Sequence, residues 1–94
     1  MPSFEPLPTE RTALIARIKR VEFSPTRFHR GYDEREVDDF LDAVVASLAS
    51  NEIPLTPARI RAAAFSQPRF KGGYNIEDVD EFRRLLADAV ERLR

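Results

Sequence analysis

The sequence predicts an all-α chain made of two tandem copies of one short helix–loop–long helix unit, and three observations predict it. A shift of 42 positions, with no gap, carries Arg17-Ile18 onto Arg59-Ile60, Phe23-Ser24 onto Phe65-Ser66, Arg27-Phe28 onto Arg69-Phe70, Gly31-Tyr32 onto Gly73-Tyr74, Val37-Asp38 onto Val79-Asp80 and Phe40 onto Phe82. Self-similarity at one fixed offset is the signature of a repeated structural unit. The same helix-start chemistry recurs in each copy, Asp33 with Glu36 and Asn75 with Asp78. Beyond each start, apolar residues return every three or four positions, the period of a helix that buries one broad face. No segment alternates with the period of two that a half-buried strand requires. An internal pseudo-two-fold relation between the copies is the expected arrangement.

The elements follow in order. Residues 1–8 are expected to form a flexible N-terminus, and the first copy spans residues 9–50. Its short helix is expected to start at Thr9 as N-cap and run to about Val21, with Leu14, Ile15 and Ile18 as its apolar stripe. Its long helix starts at Asp33, with Glu36 placed to reach back to the cap N–H and Tyr32 and Val37 placed to close a hydrophobic staple. Val37, Phe40, Leu41, Val44, Val45 and Leu48 then line one face. Residues 51–55, polar and interrupted by Pro54, form a linker, and the second copy spans 56–94. There Thr56 caps a short helix with Pro57 at its first position, where the missing N–H costs nothing, and Ile60 and Ala64 share a face. Asn75, Asp78, Tyr74 and Val79 repeat the second helix start, followed by Phe82, Leu86 and Leu93. Phe23 and Phe65 are expected to close each short helix onto its own long helix. Phe40 and Phe82 occupy the same place on the apolar stripe and should both be buried at the junction of the helices.

Composition excludes several classes of function. Of 94 residues 15 are basic and 16 acidic, so no overall charge draws the chain to nucleic acid. Cysteine is absent and His29 is the one histidine, which leaves no thiolate chemistry and no cysteine–histidine metal set. Acidic residues cluster in the first turns of the long helices, where they suit the helix dipole, and neither a nucleophile nor a phosphate-binding glycine loop accompanies them. No enzyme activity, cofactor or metal is expected. No apolar run reaches the roughly 18–20 residues of a membrane span and no signal peptide opens the chain, so a cytoplasmic location is expected.

The string Phe23-Ser24, a basic and apolar loop, then Gly31-Tyr32-Asp33-x-x-Glu36-Val37-Asp38-x-Phe40-Leu41-Asp42 resembles the N-terminal domain of the DivIVA family. Its second version runs from Leu55-Thr56-Pro57-Ala58-Arg59-Ile60 through Phe65 to Phe82. The resemblance implies a bacterial adaptor in cell division or polar growth, gathered at the inner membrane face at septa or poles, with other proteins of such a complex as partners. It also implies that two such units intertwine, and that the loop before Gly-Tyr carries an apolar residue and basic neighbours to the bilayer. The family's Arg-Gly-Tyr stands in copy one as Arg30-Gly31-Tyr32 but becomes Gly72-Gly73-Tyr74 in copy two. The family also continues into a long coiled coil, whereas this sequence ends at Arg94 after coiled-coil-like helices, which points to an accessory or regulatory member.

The candidate contact residues for a membrane or partner are therefore Arg27, Phe28, His29, Arg30, Arg69, Phe70 and Lys71. Phe28 and Phe70 have two readings, core packing or a ring exposed among cations at an interface. Gly31, Tyr32, Asp33, Val37 and Phe40, with Gly73, Tyr74, Asn75, Val79 and Phe82, have a sufficient structural cause as turn, cap, staple and core. The leading function is a non-enzymatic interaction module with weak anionic-membrane contact and a homodimer as one arrangement. The alternatives are a small helical nucleic-acid binder, opposed by the acids Glu34, Glu36, Asp38, Asp39 and Asp42 on the helix that would enter a groove, or a purely structural dimerisation unit.

Overall fold

The structure, a computed structural model, describes residues 4–27, 29–50, 55–68 and 72–93. It is all-α. Among the described residues four helices, α1 (Arg11–Lys19), α2 (Glu34–Ala49), α3 (Pro57–Ala62) and α4 (Ile76–Glu91), form two pairs in which α1 packs on α2 and α3 on α4. Among the described residues the remaining regular pairing is three isolated bridges, Pro25–Tyr74, Arg30–Gly72 and Tyr32–Tyr74.

Local chemistry sets the helix ends. Asp33 and Asn75 cap α2 and α4 by accepting from the backbone N–H three residues on, each at 3.0 Å. Thr56 does the same for α3 at 3.2 Å. For α1 the cap is Glu10 rather than Thr9: its carboxylate accepts from the N–H groups of Thr12 and Ala13 at 2.8 and 3.2 Å, satisfying two donors where a hydroxyl would satisfy one. The helix closes at Lys19, with Arg20 rather than Val21 as C-cap. α3 ends at Ala62, so Ala64 lies beyond the helix and shares no helical face with Ile60.

The core runs through both halves. Leu14, Ile18, Val37, Leu41, Val44 and Leu48 are buried in the first half, and Ile60, Val79, Phe82, Leu86, Ala87 and Ala89 in the second. Residues 4–8 depart from the expected loose terminus. Leu7 is buried, and the Phe4 ring packs edge-on against Phe23 and Phe82 at 6.2 and 5.4 Å. Covering apolar rings outweighs the entropy of holding a short arm that Pro6 and Pro8 already stiffen. The expected linker falls largely on residues 51–54, outside the described residues; Leu55 at its end packs partly buried against the core.

The join between the halves differs from a simple pairing of long-helix stripes. Phe23 borders the face of its own long helix beside Leu41 and Val45, and its ring also reaches across the join. It packs on Phe82 at 5.7 Å and Tyr74 at 5.2 Å, both from the second half, while Phe65 packs on Phe40 at 5.4 Å and Tyr32 at 5.3 Å, both from the first. Each connector thus crosses to the other half. The two sides are not equal, because Phe82 is 2% exposed whereas Phe40 is only partly buried. Phe4 contributes to the difference, since it meets both Phe23 and Phe82, and no described aromatic ring meets both Phe65 and Phe40.

Candidate functional site

The crossing is fixed by hydrogen bonds that recur at the 42-residue offset. Tyr32 and Tyr74 exchange backbone bonds, N–H to carbonyl, at 2.9 and 3.0 Å. Asp33 N–H donates to the Ser66 carbonyl and Asn75 N–H to the Ser24 carbonyl, both at 2.8 Å. In return the Ser66 N–H donates to Glu36 Oε1 at 2.8 Å and the Ser24 N–H to Asp78 Oδ2 at 2.9 Å. The Ser66 hydroxyl adds a bond to Glu36 Oε2. This corrects the expected capping box. Glu36 and Asp78 do not return to their own caps, because the cap N–H already has a serine carbonyl from the other half, and the carboxylate is free to hold that serine's N–H. No buried side-chain polar atom among the described residues is left without a partner.

Side-chain hydroxyls repeat the exchange. Tyr32 Oη donates to Asp80 at 2.8 Å and Tyr74 Oη to Asp38 at 2.9 Å. Burial first, then the bond to Asp38, pushes the Tyr74 hydroxyl up to about 12, and burial with Asp80 raises Tyr32 likewise. Both remain protonated donors at any physiological pH. Glycine is required where the backbones touch. A Cβ on Gly31 would lie 2.3 Å from the Tyr74 carbonyl oxygen, and one on Gly73 2.4 Å from that of Tyr32; Gly73 also holds φ +98°. The Gly-Tyr pairs are thus the contact line of the two halves.

The same line ties the first basic loop to Gly72 and Gly73. Gly31 N–H donates to the Gly72 carbonyl at 2.7 Å, Gly72 N–H to the His29 carbonyl at 3.2 Å and Thr26 N–H to the Gly73 carbonyl at 3.0 Å. The counterpart of this last bond is missing because Pro68, which stands at Thr26's place, has no N–H. Arg27, His29 and Arg30 are exposed, and Arg27 and Arg30 form no ion pair among the described residues. Phe28, Arg69, Phe70 and Lys71 lie outside the described residues. Of the expected contact residues, the structure therefore places Arg27, His29 and Arg30 in the loop that bonds to Gly72 and Gly73.

A second feature escaped sequence reasoning. Beside the end of α1 and the face of α2 lies a groove of about 330 Å3, lined by the apolar side chains of Ile18, Val21, Leu41 and Val45, the rings of Phe23 and Tyr74, and the charged Lys19, Asp38 and Asp42. In the second half the matching position carries hydrogen bonds within the chain. Arg83, at the place of Leu41, donates to the carbonyl of Ala63, the C-cap of α3, and to Asp80 Oδ1 at 3.2 Å. The signal was present in the sequence as a mismatch at the 42-residue shift, leucine against arginine. Its meaning depends on the carbonyl and carboxylate that the fold sets around that position.

Among the described residues no group of three His, Asp or Glu side chains is placed to hold a metal ion, and no helix is long and apolar enough to cross a membrane. Comparison of the chain with protein-family models, with curated proteins and with solved structures gives no match.

Proposed function

We propose that the chain is a non-enzymatic interaction module of the DivIVA type, an adaptor in bacterial division or polar growth that meets the inner face of the membrane through its basic loops. The observation that carries this reading is the reciprocal junction, in which Tyr32 and Tyr74 exchange backbone bonds and each connector packs on the other half's long helix. It supports within one chain the intertwined pair of units that the family resemblance implies. It also supports a common face for the loops, because Gly31 and Gly72 are bonded side by side. Near an anionic leaflet each basic residue contributes about 1 kcal/mol, and the attraction is screened by salt. Sedimentation with anionic and neutral vesicles tests this. Binding is expected to anionic vesicles only, to fall as salt rises, and to drop at least about thirtyfold in Arg30→Glu/Lys71→Glu with an unchanged melting temperature. Equal sedimentation with neutral vesicles, or none with either, would remove the membrane and leave the protein-interaction reading.

The groove beside α2 supports a partner of definite chemistry. Arg83 is an internal example of what such a groove holds, a guanidinium between the Ala63 carbonyl and Asp80. In the first half the matching groups are the Val21 carbonyl and Asp38, and the partner protein supplies the arginine. A fluorescent peptide acetyl-Leu-Arg-Leu-amide should bind the protein more tightly than its isosteric, uncharged citrulline analogue, and Asp38→Asn, at an exposed position, should abolish most of the difference by removing the carboxylate. Equal binding of the two peptides would rule this partner chemistry out.

A further inference from the structure

We propose that the Phe40–Phe65 face, where the second connector meets the first half's long helix, docks an extended segment of another protein that carries an aromatic residue, an acidic residue next to it and a leucine three positions after the aromatic. Among the described residues the chain holds one version of this face crossed by an arm and one that no described arm crosses. On the crossed side, residues 4–8 run across the Phe23–Phe82 pair: Phe4 meets both rings edge-on, Leu7 is buried, and Glu5 pairs with Arg17 at 3.9 Å. On the other side, the shift of 42 positions turns Phe23 into Phe65, Arg17 into Arg59 and Val21 into Ala63, while Phe40 stands where Phe82 stands on the first. The two aromatic pairs have nearly the same geometry, 5.7 Å and 78° for Phe23–Phe82 against 5.4 Å and 70° for Phe40–Phe65.

What differs is the cover. Phe40 and Phe65 are partly buried, Ala62, Ala64 and Arg59 are exposed, and no described residue pairs with the Arg59 guanidinium. Aromatic rings in T-shaped contact offer further edges and faces to a third ring, and such a contact adds to the area it buries. Arg59 supplies the charge complement: it stands where Arg17 meets Glu5, so an acidic residue beside the incoming aromatic ring finds a cation in place. The occupant belongs to a different protein, because a second copy of this chain would uncover its own Phe23–Phe82 pair to lend its arm.

The test uses the intact protein labelled with nitrogen-15 and, as probe, a synthetic acetylated peptide of this chain's first ten residues, MPSFEPLPTE. Saturable shifts are expected at Tyr32, Phe40, Ala63 and Phe65. They should be lost when the peptide carries Phe4→Ala, and binding should weaken severalfold in the Arg59→Glu protein, whose substitution lies at an exposed position and leaves the fold intact. Shifts confined to Phe23 and Phe82 would mean exchange with the chain's own arm and would overturn the proposal, as would shifts indifferent to Phe4→Ala in the peptide. A protein that dimerises with rising concentration, and loses this in its own Phe4→Ala variant, would assign the face to a second copy and overturn it too.

Discussion

Gly73→Ala is expected to lower the melting temperature by well over about 10 °C, and Gly72→Ala, one residue away, to lower it much less. Gly73 combines two penalties. Its φ of +98° is a conformation that an L side chain rarely adopts, and an added Cβ would sit 2.4 Å from the Tyr32 carbonyl oxygen. That oxygen is bonded to the Tyr74 N–H, so it has nowhere to retreat without breaking the junction. Backbone strain and forced overpacking each cost about 1–3 kcal/mol, and a domain of this size is stable by only about 5–15 kcal/mol. Each kcal/mol corresponds to roughly 4–8 °C in a domain of 60–100 residues. Gly72 shares the strain, with φ +125°, but a Cβ there meets nothing within 4 Å. Thermal melts followed by circular dichroism separate the two variants, and equal losses would mean that the close approach of the halves is not what Gly73 permits.

Phe82→Ala is expected to cost about 3–5 kcal/mol, the usual price of emptying a buried phenylalanine site. Its ring is 2% exposed and serves both halves, touching Phe23 from the first connector and Phe4 from the N-terminal arm. Phe40→Ala should cost less, on the order of 2 kcal/mol, because solvent already reaches that ring and one aromatic partner, Phe65, is lost instead of two. Urea denaturation gives both values. An equal cost for the two variants would show that the arm formed by residues 4–8 does not cover Phe82 as described.

Much of the helical framework was legible in the sequence, and the way the halves join was not. Asp33 and Asn75 are caps and Thr56-Pro57 is a helix start because a short side chain bonding an N–H three residues on is a local event that spacing reveals. Glu36 shows where local reasoning stops. An acidic residue three positions after a cap looks the same whether its carboxylate returns to its own cap or reaches Ser66 thirty residues away. Phe23 and Phe65 are legible as core residues, but a 42-residue repeat is equally consistent with each ring closing onto its own helix or onto its neighbour's. The groove beside Leu41 was hidden for a similar reason. An arginine within a helix looks like a solvated charge until the fold sets the Ala63 carbonyl and Asp80 around it.

The central claim is that neither half is complete without the other, and the most direct measurement is the behaviour of residues 52–94 expressed alone. In that fragment Phe65 loses Tyr32 and Phe40, Tyr74 loses Phe23 and Asp38, and the Asn75 N–H loses the Ser24 carbonyl. A segment of about 40 residues is also below the usual size for an independent core. Sedimentation equilibrium combined with a circular dichroism melt should find the fragment unfolded, or folded only as a self-associated pair that rebuilds the exchange between two copies. A monomer that melts cooperatively would contradict the account.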